Sequence, residues 1–141
     1  MTEKKRVLIL CTGNSARSQM AEGFLRHAGG DRFEVFSAGT HPSVVREEAI
    51  EAMRDWDIDL SGQRSKSVDE FAGQQFDYVV TVCDNAANNC PVFPGAAQRI
   101  HWSFDDPAAA VGDYKTRVME FRRVRDEIAA RFREFFQPAN L

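Results

Sequence analysis

The chain has 141 residues, of which 43% are hydrophobic and 28% charged, and its formal net charge is −3. That length is enough for one domain with one core, and the slightly acidic balance argues against a nucleic-acid-binding surface. Apolar runs fall short of the ~20 residues of a membrane span, and no signal-peptide core precedes the first predicted strand. We therefore expect a cytoplasmic monomer, with residues 1–141 as a single domain that contacts neither nucleic acid nor membrane.

Apolar runs and helical patterns alternate along the chain. Predicted strands cover residues 6–11, 33–36, 76–83 and 99–102; predicted helices cover 17–27, 42–56 and 113–136, and 68–71 is a short amphipathic segment. This order predicts an α/β fold, with a single-domain four-stranded parallel sheet and helices on both faces. Ligands of such sheets bind at the carboxyl ends of the strands, where Cys11, Cys83 and the loop with Asp105 and Asp106 are expected.

The first predicted strand ends in a cysteine and continues into a polar loop that enters a helix. The loop consists of Cys11, Thr12, Gly13, Asn14, Ser15, Ala16, Arg17 and Ser18, and we call it the anion loop. Loops of this kind direct unpaired backbone N–H groups at one spot, where an oxyanion such as phosphate or arsenate binds. We expect the forked guanidinium of Arg17 to hold two oxygens of that anion.

Cys11 is the predicted nucleophile. The field of the loop is expected to lower its pKa, and Ser18 is expected to donate a hydrogen bond to its sulfur. Gly13 permits close approach of the backbone to the anion, and Asn14 suits a left-handed backbone conformation. A buried core thiol is the alternative for a cysteine at a strand end, but the other loop residues at their spacing favour a catalytic one.

Cys83 and Cys90 are the other two cysteines of the chain. An odd number of cysteines without a secretory signal does not indicate a disulfide framework, so these thiols are structural, metal-binding or redox-active. On a regular helix, two residues seven apart lie ~10 Å from each other, whereas a disulfide needs about 7 Å. If the segment between them is helical, a bond therefore requires it to bend or unwind. Two unrelated thiols remain an alternative; a zinc site is disfavoured because only isolated histidines accompany three cysteines.

Asp106, which directly precedes Pro107, is the candidate general acid. A carboxylic acid at this position would protonate an oxygen that leaves the bound anion. Asp105 is the alternative, either as the acid or as a solvated loop charge.

These motifs resemble the thioredoxin-coupled arsenate reductases, which share the low-molecular-weight tyrosine phosphatase fold. The stretches that carry the resemblance are residues 11–22, 82–84, 88–91 and 101–107. The resemblance implies that arsenate is the substrate, that thioredoxin is the reductant and that no cofactor is needed. It implies successive thiol roles for Cys11, Cys83 and Cys90, oxyanion binding by Arg17 and the loop amides, and acid catalysis by Asp106.

Two further function classes remain open at this stage. A tyrosine phosphatase of the same fold is expected to have proline at Gln19 and aromatic residues at Ala108 and Ala109, which this chain lacks. A non-catalytic arsenite or metal sensor would have no need of Arg17 or Asp106.

A cation site beside the loop is also implied by the resemblance. Some members bind potassium with residues that align with Asn14, Glu22, Ser37 and an aspartate. This chain has Lys66 at the aspartate position, so we predict that its ammonium replaces the ion.

Overall fold

The computed structural model describes residues 4–88 and 98–136. It contains a sheet of four parallel strands: β1 (Lys5–Cys11), β2 (Phe33–Gly39), β3 (Tyr78–Thr81) and β4 (Gln98–His101). Their order in the sheet is β2-β1-β3-β4. The predicted α/β fold with a four-stranded parallel sheet is confirmed.

Strand β1 is the inner strand that carries the first cysteine. Residues 7–10 of this strand are fully buried, so both faces of the sheet are covered here, as expected for an apolar parallel strand. In its register Cys11 pairs with Gly39 of β2, and Leu10 pairs with Thr81 of β3. The carboxyl ends of the three strands thus meet at one edge of the sheet.

The helices are α1 (Arg17–Gly29), α2 (Glu47–Arg54), α3 (Asp84–Asn88) and α4 (Tyr114–Phe136), and short 3-10 turns cover Gly30–Arg32, Val68–Phe71 and Pro107–Ala109. Phe33 of β2 packs on Phe136 of α4, and Phe36 packs on Phe71 of the second 3-10 turn. Side chains three apart in a strand point to opposite faces, so these contacts cover the sheet from both sides. Within the described residues, no helix is long and apolar enough to cross a membrane.

The second helix is shorter than predicted. It begins at Glu47 rather than at residue 42, because residues 40–46 run along the anion loop and donate backbone hydrogen bonds to it. The third strand is also shorter, 78–81 instead of 76–83. Helix α1 runs two residues further than predicted and ends where Gly30 takes a φ of 52°.

Candidate active site

The backbone carbonyls of the anion loop point away from its centre. The donors to them are Thr40 N to Cys11 O, His41 N to Thr12 O, Ser43 N and Ser65 Oγ to Gly13 O, Gln19 Nε2 to Asn14 O, and Arg46 N to Ser15 O, at 2.8 to 3.2 Å. In a trans peptide the N–H of the next residue points opposite to the carbonyl. The N–H group of the residue after each of these carbonyls therefore faces the centre of the anion loop. The N–H groups of Asn14 and Ser18 form hydrogen bonds to the sulfur of Cys11.

Ser18 lies directly beside the candidate nucleophile. Its Oγ is 2.8 Å from the Sγ of Cys11 and accepts a hydrogen bond from Nδ2 of Asn14, also at 2.8 Å. When Cys11 is the thiolate, its sulfur can only accept, so the hydroxyl of Ser18 is then the donor of this hydrogen bond. Asn14 has a φ of 49°, so the predicted left-handed residue of the loop is confirmed.

A buried polar network continues behind the loop. Asn14 Nδ2 also donates to Ser37 Oγ at 2.9 Å, and Ser37 donates to Glu22 Oε1 at 2.5 Å. The Nζ of Lys66 lies 3.7 Å from the same Glu22 oxygen. The structure thus brings Lys66 to the residues that the resemblance assigns to a cation, and its ammonium faces the carboxylate there.

Burial raises the pKa of the Cys11 thiol, because only 2% of this residue is exposed. The side chain of Ser18, the backbone N–H groups of Ser18 and Asn14, and the charge of Arg17 lower it without reversing the shift. The sequence-based expectation of a lowered pKa is therefore wrong in direction: it counted the donors and the charge but not the desolvation of the sulfur. These contacts stabilise the thiolate once the proton has left.

Arg17 connects the anion loop to the loop after β4. Its Nη1 donates to the backbone oxygen of Phe104 at 3.0 Å, and its Nη2 lies 3.8 Å from Oδ2 of Asp106. Asp106 is half-exposed, and its Oδ1 accepts from the N–H of Ala108. Asp105 instead pairs with Arg123 of α4 at 3.0 Å. The geometry favours Asp106 over Asp105 as the acid beside the anion loop.

Cys83 lies at the same edge, between β3 and α3. Its Sγ is 3.3 Å from Oγ1 of Thr12, the residue after Cys11, and accepts from the N–H of Ala86 at 3.4 Å. Both Cys11 and Cys83 are buried free thiols. Cys90 lies outside the described residues.

Sequence reasoning missed several residues that shape the loop from outside. A Cβ on Gly39 would lie 2.5 Å from the oxygen of Thr12, so only glycine permits this close approach. The fully buried Gln19 donates to the oxygens of Asn14 and Arg64, which ties the loop to a distant segment. Ser65 supports the loop from the same segment. No local pattern identifies Gly39 and Ser65, because their partners in the anion loop are remote in sequence.

A four-stranded parallel sheet with a cysteine-containing anion loop at its carboxyl edge defines a class of protein. The sequence profile of that class, described as low molecular weight phosphotyrosine protein phosphatase, matches residues 6–141. The chain belongs to this family.

The relatives of this chain show which members of the family it resembles. The chain is 48% identical over 132 residues to the arsenate reductase of Shouchella clausii, covering 94% of this chain and 95% of the relative. A solved arsenate reductase in the phosphate binding state has a TM-score of 0.76 at 30% identity, covering 94% and 97% of the two chains. A thioredoxin-dependent arsenate reductase of Corynebacterium glutamicum has a TM-score of 0.73 at 26% identity, covering 96% of this chain and 62% of that one. The resemblance to arsenate reductases of this fold is confirmed.

Proposed function

We propose that this enzyme reduces arsenate to arsenite through a relay of Cys11, Cys83 and Cys90, with thioredoxin as the final reductant. The observation that carries the proposal is the position of Cys83, whose sulfur touches Thr12 at the edge of the anion loop. A phosphatase needs one thiol at this place, whereas a two-electron reduction by the protein needs two.

The first step is binding of the oxyanion. The inward N–H groups of the anion loop and the guanidinium of Arg17 form a concave site of donors. The net charge of −3 does not attract an anion over the whole surface, so these local groups supply the affinity. Because the carbonyls of the loop are already bonded outward, the donors keep their direction before the anion arrives.

In the second step the sulfur of Cys11 attacks arsenic. An arsenic–sulfur bond forms, and one oxygen leaves as water after protonation by Asp106. Ser18, Arg17 and the loop amides stabilise the thiolate form of Cys11 that performs the attack.

In the third step the thiolate of Cys83 attacks the sulfur of Cys11. A sulfur–sulfur bond forms, the arsenic–sulfur bond breaks, and its electron pair remains on arsenic. Arsenic(V) thereby becomes arsenic(III) and leaves as arsenite, while the two thiols are oxidised to a Cys11–Cys83 disulfide. Thr12 and the N–H of Ala86 hold the attacking sulfur in place.

In the last steps Cys90 attacks Cys83 and displaces Cys11 from the disulfide. The contacts of Ser18 and Arg17 stabilise the departing Cys11 thiolate and so favour its release. Two residues at this spacing on a regular helix lie too far apart for a disulfide, so we infer that α3 bends or unwinds when the Cys83–Cys90 bond forms. We propose that unwinding presents the disulfide to thioredoxin at the surface. All the thiols of this proposed cycle belong to one chain, so we propose that the enzyme works as a monomer. A reducing compartment such as the cytoplasm would keep these thiols reduced between turnovers.

Variants given one equivalent of arsenate without reductant test this relay. Cys90→Ser is expected to release arsenite once and to stop as a Cys11–Cys83 disulfide. Cys83→Ser is expected to stop before arsenite release. Mass mapping of the disulfide and measurement of arsenite distinguish the two states. Normal cycling of Cys90→Ser with thioredoxin would contradict the role of the third thiol.

A phosphatase acting through a phosphorylated Cys11 is the second candidate, because the family as a whole carries that description. Ala108 and Ala109 follow Pro107 in the 3-10 turn beside the site, where an aromatic ring would stack on a phosphotyrosine. We therefore expect at most weak hydrolysis of aryl phosphates. High turnover of an aryl phosphate, together with no arsenite from arsenate and thiol, would favour the phosphatase.

A further inference from the structure

His101 bridges the two segments that flank Cys83. Its Nδ1 lies 2.8 Å from Oγ1 of Thr81, the last residue of β3, and its Nε2 lies 2.9 Å from Oδ1 of Asp84, the first residue of α3. His101 itself ends β4 and pairs with Thr81 in the sheet register. One imidazole thus ties the start of α3 to the edge of the sheet.

The start of α3 decides where the sulfur of Cys83 lies. The N–H of Ala86 in the first turn of α3 donates to this sulfur, and Thr12 contacts it from the anion loop. When the first turn of α3 is helical, it therefore holds the sulfur of Cys83 at the anion loop. When this turn unwinds, the hydrogen bond from the N–H of Ala86 to that sulfur is lost. Asp84 is 77% exposed, so its bond to His101 competes with water and is readily broken.

We propose that His101 is a positioning residue of the thiol relay. The inference rests on the proposed function. The contact between His101 and Asp84 keeps the first turn of α3 wound while Cys83 attacks the sulfur of Cys11. It is released when α3 unwinds and Cys90 attacks Cys83. His101 exchanges no electrons with the thiols in either step.

The two steps are expected to respond in opposite directions to loss of this contact. Without the contact, the first turn of α3 is wound in a smaller fraction of the molecules, so fewer of them hold Cys83 at the anion loop and arsenite release slows. It is lost in the transition state of the Cys90 attack, so its removal speeds conversion of the Cys11–Cys83 disulfide. A general loss of folding would slow both steps.

Two substitutions separate the two contacts of the imidazole. The amide of His101→Asn occupies the place of Nδ1 and retains the contact with Thr81 alone, whereas the amide of His101→Gln reaches the place of Nε2 and retains the contact with Asp84. His27→Asn, an exposed histidine in the last turn of α1, serves as the matched control.

The experiment is a rapid-quench single turnover with one equivalent of arsenate. Arsenite and both disulfides are quantified over time after alkylation, and the Cys90→Ser background isolates the Cys83 step. For an exposed pair, His101→Asn is expected to slow arsenite release about threefold and to speed the disulfide exchange by a similar factor. His101→Gln is expected to restore both rates in large part. Rates that fall together, or that stay at those of His27→Asn, would overturn the proposal.

A second measurement is independent of arsenate. In the reduced protein, hydrogen exchange of the Ala86 amide is expected to be faster in His101→Asn and close to that of the unaltered chain in His101→Gln. Unchanged exchange in His101→Asn would also overturn the positioning role. Should the unaltered protein produce no arsenite, the proposed function fails, while the exchange measurement still decides whether His101 holds the first turn of α3.

Discussion

The sulfur of Cys11 and the hydroxyl oxygen of Ser18 lie 2.8 Å apart in the buried centre of the anion loop. Asn14 donates to the same oxygen, and the hydroxyl of Ser18 donates to the sulfur when Cys11 is the thiolate. This hydrogen bond lowers the pKa of Cys11 and opposes the larger effect of burial, which raises it. The nucleophile therefore depends on Ser18 for part of its thiolate population at neutral pH.

Ser18→Ala is expected to raise the pKa of Cys11 further. Because the thiolate is the reactive form, alkylation of Cys11 at pH 7 should slow about tenfold, the effect of losing one hydrogen bond to a charged group. The rise of the alkylation rate with pH should move to higher pH. Iodoacetamide labelling of Cys11 across a pH series, followed by mass spectrometry, measures both effects.

Ser37→Ala is the matched control for Ser18. Ser37 belongs to the same buried network and contacts Asn14 but not the sulfur. We expect its labelling profile to stay close to that of the unaltered chain. Equal shifts in both variants would show that the network, and not the Ser18 hydroxyl, sets the pKa of the thiol.

Asp106→Asn is expected to lower the rate of the first chemical step by about a hundredfold, since an amide cannot protonate the leaving oxygen. The measurement is the rate of arsenite release in a single turnover. Asp105→Asn is the control, because Asp105 is bound to Arg123 on α4 and its loss removes one exposed ion pair. If both variants lose activity equally, the assignment of the acid to Asp106 fails.

The sequence predicted the parts of the molecule that local patterns encode. The apolar run of β1, the loop after it and the long helix α4 lie as expected. The start of α2 was predicted five residues too early, because the N–H groups of residues 40, 41, 43 and 46 bond the anion loop. Periodicity carries no information about such remote acceptors.

The candidate site likewise contains residues that local motifs predict and features that depend on the folded chain. Cys11, Arg17, Ser18, Cys83 and Asp106 were predicted from motifs, and the structure brings them to one edge. Gly39 could not be predicted, since the oxygen that excludes a Cβ belongs to Thr12 on another segment. The pKa of Cys11 was predicted in the wrong direction, because the depth at which the sulfur lies is a property of the folded chain alone.

The position of Lys66 leads to a prediction about the dependence of activity on potassium. Burial lowers its pKa, and the Glu22 carboxylate opposes this shift and favours the ammonium form. If that ammonium takes the place of a cation, replacing potassium by sodium at constant ionic strength should change kcat/KM very little. Strong activation by potassium would contradict this role.

Lys66→Asp tests whether the ammonium of Lys66 replaces a bound cation. It adds a carboxylate beside Glu22 and Ser37, so we expect activity to fall in sodium and to recover in potassium. Lys66→Met removes the charge without adding a ligand and should respond less to potassium. A cavity of about 590 Å³ bordered by Glu22, Arg26 and Lys66 provides access for the ion.

The last prediction concerns stability and lies far from the thiols. Asp55, just after α2, accepts from Arg122 Nε and Arg125 Nη1 of α4, both at 2.7 Å. The hydrogen bond from Arg122 is the main reason that the pKa of Asp55 lies below its ordinary value of 3.8, and Arg125 adds to it. A lowered pKa in the folded state means that the contribution to stability is complete above the unfolded value. It is lost as the pH falls through the folded value.

Asp55→Asn should therefore lower the free energy of unfolding by about 1 kcal/mol at pH 7, because the carboxylate is partly exposed. The difference from the unaltered chain should shrink as the pH falls below about 4. Urea unfolding at a series of pH values measures it. Asp126→Asn is the control, since Asp126 pairs with the same Arg125 but is 60% exposed and should show a smaller difference. A difference that stays constant down to pH 2 would mean that Asp55 acts through packing and not through its charge.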